Sequence, residues 1–180
     1  MLKSYVTAVL LIGFVCACRL MPHFANFSPM IFLALFMTRF FNKAMAFGMV
    51  IIAMIVSDIL LSMHSSYSTF GSWTWFTYSA LLMIGYVGSK IGHLEERFSL
   101  GMLSILGAGL GFWVWTNFGV WLCSGFYARD FAGFMQCYVA AIPFLQHSLL
   151  SAYLCFGVYV SCRYGIKAHK SVFQIRSGQV

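Results

Sequence analysis

A six-helix transmembrane bundle, all-α, is the fold class that three features of the sequence predict. The first is composition: 180 residues are 61% hydrophobic and only 8% charged, where a soluble domain carries about 25% charged residues. A chain of this size keeps a large outer surface however well its core packs, so lipid is the solvent that fits. The second is segmentation into apolar stretches of span length. The third is the distribution of lysine and arginine along those stretches. Low-complexity segments, clear repeats and a soluble domain are absent from the sequence. The formal charge of +7 sits at the ends of apolar segments, so it points to membrane topology and away from nucleic acid.

Span 1 covers about residues 4–21 and stops before Pro22, because the residue preceding a proline avoids the helical region. Within it Gly13 and Ala17 form a small-xxx-small face suited to packing inside the bundle. Met1-Leu-Lys ahead of the apolar run, and Val15-Cys-Ala-Cys18 after it, loosely match a signal peptide; a span is the preferred reading. Span 2 covers 28–42, with Ser28 as N-cap and Pro29 at the first helical position. It is short, hence tilted or shielded by neighbours. Span 3, 44–63, carries Asp58 among Ile, Val and Leu. An intramembrane carboxylate needs a partner, and Arg19 and Arg129 are the candidates.

A polar loop from His64 to Trp73 leads into span 4, 74–92, and a charged loop with Lys90, His93, Glu95, Glu96 and Arg97 leads into span 5, 99–122. Gly107-Ala-Gly-Leu-Gly111 lies in span 5 with no strand before it, so it reads as a smooth packing face and not as a nucleotide loop. The apolar stretch 131–164 is too long for one span and Pro143 divides it. Residues 132–142 are expected as a short interfacial or re-entrant helix, 144–164 as span 6, and the remainder as a solvated basic tail.

Six spans place Lys3, Arg39, Lys43, Lys90, Arg97, Arg163, Lys167, Lys170 and Arg176 on one side and only Arg19 and Arg129 on the other. The positive-inside rule makes the richer side, with both termini, cytoplasmic. Arg19, His23, Asn26, Asp58, His64, Asn117, Arg129, Asp130 and His147 then gather near the outer ends, as do Trp73, Trp75, Trp113, Trp115 and Trp121. Belts of anchoring tryptophan normally occupy both interfaces; a one-sided set also suits an outward pocket whose rings stack on a planar ligand. Arg19 and Arg129 offer forked contacts to an anion, and Asp58 receives a donor or cation. His23 and His64 could bind a metal or a metal-containing ligand, or only hydrogen-bond at the interface; two distant histidines are weak metal evidence, and no cofactor fingerprint or catalytic signature of hydrolases, zinc proteases or phosphate loops occurs. Cys123 and Cys137 flank one loop and are placed to pair if it is extracellular; the other cysteines fall in apolar segments, where a thiol behaves as a small hydrophobe.

Arg19-Leu-Met-Pro-His-Phe-Ala-Asn-Phe-Ser-Pro29, Ser57-Asp58, His64-Ser-Ser, Thr116-Asn-Phe-Gly-Val-Trp121, Tyr127-Ala-Arg-Asp-Phe-Ala-Gly133 and Cys137-Tyr-Val-Ala-Ala-Ile-Pro-Phe144 resemble an uncharacterised family of small bacterial membrane proteins. That family is similar in turn to the S components of energy-coupling-factor (ECF) vitamin transporters. The resemblance implies a bundle in the bacterial inner membrane that captures a vitamin-like metabolite from outside. Its pocket would draw on Arg19, His23, Asn26, Asp58, His64, Trp73, Asn117, Trp121 and Arg129. Gly13 and Ala17 match the positions where S components meet an ECF-type coupling subunit with its ATPases, although the usual pair is alanine with alanine. Some S components for cobalamin act alone through a cysteine near span 4; between residues 64 and 76 this chain offers only His64 in that role. Two other readings stand beside transport. One is a membrane enzyme acting on a lipid or cofactor through His23, Asp58 and His64. The other is a non-transporting scaffold in which Asp58 is sealed against an arginine.

Overall fold

The computed structural model describes residues 2–21, 27–64, 70–91 and 97–176, with backbone alone for 2–4, 64 and 167–176. These residues form seven α-helices and one 3-10 turn: α1 Leu2–Leu20, α2 Met30–Phe36 continued by the turn Met37–Arg39, α3 Lys43–His64, α4 Thr74–Lys90, α5 Phe98–Cys123, α6 Phe131–Ala140 and α7 Ile142–Arg176. Three segments, Lys43–Met63, Phe98–Cys123 and Phe131–Ile166, are long and apolar enough to cross a membrane. Apolar side chains cover the outside of the long helices, among them Leu10, Ile52, Met83, Leu103 and Val158, each close to or above half exposed. Buried polar side chains are few and small: Ser57, Ser148 and Ser151. Such an outer surface suits lipid and would be unstable in water.

Side-chain contacts fix the direction of each helix. Ala8 clusters with Ala46 and Met49, the Cys16 thiol donates to the Ala53 carbonyl, and Arg19 meets Asp58; α1 and α3 therefore run parallel. Between them the chain returns through α2, whose start faces Ser151 of α7 through the Ser28 carbonyl and whose end places Arg39 against the Gly88 carbonyl of α4. Tyr78 beside Asp58 sets α4 antiparallel to α3. Trp115 beside Ser79 reverses α5 again, and Leu149 at Gly109 with Phe156 at Gly101 reverses α7. The main rods thus alternate, and α1 begins at the same end at which α7 finishes. Arg39, Lys43, Lys90 and Arg97 gather at that end, the basic end. Arg19 and Arg129 lie at the other, the hinge end.

The expected span over 28–42 takes the form of a seven-residue helix and one 3-10 turn. At 1.5 to 2.0 Å per residue this rises about 15 Å, half a hydrocarbon core. Met30, Ile31, Phe32, Ala34, Leu35, Phe36 and Met37 are all buried, and α2 packs on α3, α4, α5 and α7. A helix apolar all round belongs at the centre of a bundle, and this one is the hub. Pro143 falls in the first turn of α7, where its missing N–H is harmless. Helix α7 continues to Arg176, so the expected basic tail begins as a helical extension; 35 residues rise about 50 Å, more than a bilayer core needs.

Close approach depends on glycines, though only partly on those that stand out in the sequence. Gly107, Gly111 and Gly13 have open space where a Cβ would be, and Gly13 and Ala17 face outward, so neither set packs inside the bundle. Gly88, Gly101, Gly109 and Gly119 do: a Cβ there would meet the Leu35 carbonyl, Phe156, Leu149 and Phe76 respectively. Gly88 has backbone as its neighbour, which has nowhere to move. Gly88→Val is therefore expected to destabilise the bundle by about 3 kcal/mol, read as a lower unfolding midpoint of the detergent-solubilised protein.

Candidate functional site

The hinge end is organised by Asp58. Met54 and Asp58 are one turn apart on α3 and face α1, where Arg19 occupies the last turn, a favourable place for a cation at a helix C-terminus. Arg19 Nη2 donates to Asp58 Oδ1 at 2.6 Å, and Nη1 donates to Met54 Sδ. Tyr78 Oη of α4 donates to Asp58 Oδ2 at 2.8 Å. Each carboxylate oxygen thus has its own donor, from two different helices, and the side chains of Arg19 and Asp58 are only 19% and 15% exposed. Of the two candidate partners for Asp58, the fold selects Arg19.

Beside this cluster lies a cavity of about 280 Å³, lined by Arg19, Met54, Phe27, Ser28, Leu61 and others. A second, of about 570 Å³, adjoins it and is lined by Trp73, Trp113, Thr116, Asn117, Tyr127, Cys137 and Phe144 among others. Thr77, Phe112 and Ser148 belong to both walls. Together the two form a recess with one arginine, a few hydroxyl and amide groups, and aromatic and aliphatic side chains along the rest. Its floor is α5, where Thr116 Oγ1 donates to the Phe112 carbonyl and Asn117 Nδ2 to the Trp113 carbonyl. Its roof is α6, held by Trp113 Nε1 on the Ala141 carbonyl at 2.9 Å and by the Cys137 thiol on the Asn117 carbonyl. Asp130 caps α6 by accepting from the Gly133 N–H at 2.7 Å.

Of the residues predicted for a pocket, Arg19, Trp73 and Asn117 line the two cavities. Asp58 lines neither and is held behind Arg19 by the ion pair and Tyr78. Trp121 and Arg129 line neither cavity. Trp121 Nε1 donates to the Ala128 carbonyl and Arg129 Nη2 to the Leu122 carbonyl, so both fasten the loop that leads into α6. Trp121 also belongs to a ladder of rings that runs through Trp115, Phe76, Phe118, Trp121, Phe134, Tyr138 and Trp113. The tryptophans accordingly divide: Trp73 and Trp113 reach the cavity, Trp115 and Trp121 brace α4, α5 and α6, and Trp75 is 81% exposed. His23 and Asn26 lie outside the described residues, as does the side chain of His64. All six cysteines are free thiols, Cys123 and Cys137 included. Among the described residues no group of three His, Cys, Asp or Glu side chains is placed to hold a metal.

Sequence reasoning missed Tyr78, Thr77, Phe112 and Ser148. The one usable signal was spacing: Thr77 and Tyr78 enter α4 about one turn after Trp73, level with the end of α3. Ser148 and Ser151 share a face of α7, with Ser151 Oγ on the Ser28 carbonyl at 2.8 Å.

Removal of one partner of a buried ion pair strands the other. Asp58→Ala is expected to destabilise the protein by about 3 kcal/mol, and the double variant Arg19→Met, Asp58→Leu to recover most of that loss. Denaturant unfolding of the three proteins in one detergent checks both.

No curated protein and no solved structure matches the chain. A family model matches residues 1–172, and on that match the chain belongs to DUF6580, a family of unknown function.

Proposed function

We propose that this chain is a multi-pass protein of the bacterial inner membrane that captures a small, vitamin-like metabolite in the recess at its hinge end for uptake. The observation that carries the reading is the pair of adjoining cavities beside a fixed arginine. Their sizes fall near or within the range of small-molecule pockets, about 300–1,000 Å³. The mix of aromatic walls with Thr77, Thr116, Asn117 and Ser148 suits a ring-bearing body with a few hydroxyl or amide groups. The guanidinium carries five N–H donors, of which the bonds to Asp58 and Met54 use two, so an anionic or carbonyl end of the ligand has a donor to meet. On this reading α1, α2, α3, α4, α5 and α7 are the six passes, with α2 shielded from lipid by its neighbours. Helix α6 lies at the outer interface and the basic end is cytoplasmic. His23, Asn26 and His64 belong to the proposed ligand set through their position in the hinge and at the end of α3. Asp58 serves by fixing Arg19.

Mass spectrometry of small molecules extracted from the purified protein tests this. One compound is expected to be enriched, and Asn117→Leu to lower its retention about tenfold with unchanged elution of the folded protein. Recovery of the same compounds from both proteins in equal amounts would sink the reading.

An ECF-type coupling subunit is the proposed partner, because Gly13 and Ala17 are exposed on α1 and a Cβ at Gly13 meets nothing within 4 Å. Gly13→Leu is expected to leave ligand retention unchanged and to cut cellular uptake about tenfold. Normal uptake by that variant would remove α1 as the coupling face.

A further inference from the structure

A second recess lies on the outside of the bundle, away from the ion pair. It is a groove of about 310 Å³ between α4 and α5, with Leu35 of α2 and Ile84 at its base and Met83, Val87 and Trp115 on its walls. Ser104, Gly107 and Gly111 of α5 keep one wall low, and at Gly107 and Gly111 even a Cβ would meet nothing within 4 Å. From Ala80 to Ile91, the C-cap of α4, the groove follows eleven helical steps, about 16 Å, which is the depth of one leaflet of a hydrocarbon core.

No charged residue lines the groove itself, and what differs is the chain beyond its two ends. Toward Trp115 the walls are uncharged. At the Ile91 end they run into the basic end of the bundle. Lys90 is exposed there, on the same helical face as Met83 and Val87, with its ammonium 5.5 Å from the Tyr86 ring. Arg97 is exposed at the start of α5, two turns before Ser104. Arg39 reaches the Gly88 carbonyl, two residues before the close of α4. Arg97 makes no side-chain cap to α5, so the positive end of that helix adds to the same field.

We propose that this groove is a binding site for an anionic phospholipid of the cytoplasmic leaflet, one acyl chain lying between α4 and α5 and the phosphate held between Lys90 and Arg97. The proposal rests on the membrane reading above and is independent of what the hinge-end recess binds. Depth chooses an acyl chain over a metabolite, since a groove open along its length gives a small polar molecule nothing to bond. Charge complementarity at a single end chooses an anionic headgroup. The connection between α4 and α5 also carries Glu95 and Glu96, so headgroup selectivity is the property to measure.

The test is native mass spectrometry of the full chain in neutral detergent with equal amounts of phosphatidylglycerol and phosphatidylcholine. Retention of phosphatidylglycerol is expected to exceed that of phosphatidylcholine about tenfold, and Lys90→Ala with Arg97→Ala to remove the difference. Gly111→Leu, which places a side chain in the groove, is expected to lower retention of both lipids several-fold with the melting temperature in detergent alone unchanged. Equal retention of the two lipids by the native chain overturns the proposal. So does a Gly111→Leu protein that folds and keeps both lipids, or a groove filled by a second copy, seen as a dimer without lipid. Failure of the membrane reading itself is separable, because the chain would then be released from vesicles by alkaline carbonate.

Discussion

A single carboxylate inside an apolar bundle constrains everything around it. A carboxylate among apolar side chains is costly without hydrogen-bond donors, and lipid supplies none. Arg19 and Tyr78 supply one bond to each oxygen, and in doing so they join α1, α3 and α4 at one level. Parallel α1 and α3 then require the intervening chain to recross the bundle, and it does so through the centre. The all-apolar face of α2, its burial and its shortness follow from that route. So does the position of the recess, which opens where α2 begins and where Arg19 is already fixed. The ion pair therefore sets the level at which α1 and α3 meet as well as satisfying the carboxylate.

The remaining cohesion comes from close fit. Between helices in lipid there is little hydrophobic drive, so contact area and backbone approach decide packing. Gly88 lets α4 lie directly on the Leu35 carbonyl, and Gly101, Gly109 and Gly119 let α5 accept rings and a leucine from its neighbours. Phe156, wholly buried, stacks on Phe36 and Phe98 and ties the hub to α5 and α7. At the hinge end the ladder of rings from Trp115 to Tyr138 does the same for α6, which has few other attachments.

How much of this could be read from the residues depended on what carries the signal. Helix positions were legible because apolar runs, Pro143 and the basic boundaries are local features. The gathering of Arg19, Asp58, Trp73 and Asn117 at one end was legible because charge asymmetry orders the ends of all helices at once. Faces were not legible. In a soluble helix the inside and outside differ in polarity, but here both are apolar, so Gly13 and Gly107 looked like packing positions and face outward, while Gly88 drew no notice and is enclosed. The roles of Trp121 and Arg129 were hidden for a related reason. Their bonds go to the Ala128 and Leu122 carbonyls, and backbone acceptors leave no mark in a sequence. Tyr78 was passed over because tyrosine is ordinary in membrane helices until a carboxylate is found beside it.

Phe112 is the ring on which these spaces meet. It lines both cavities of the hinge-end recess and the groove between α4 and α5, so one side chain separates the interior of the bundle from its lipid-facing side. Were both sides occupied as proposed above, an occupant that turned the ring would alter the affinity of the other, and by the same factor in both directions. The surrounding lipid would then act as an effector as well as a solvent, and a change in membrane composition would become a change in the dissociation constant of a ligand that never touches the bilayer.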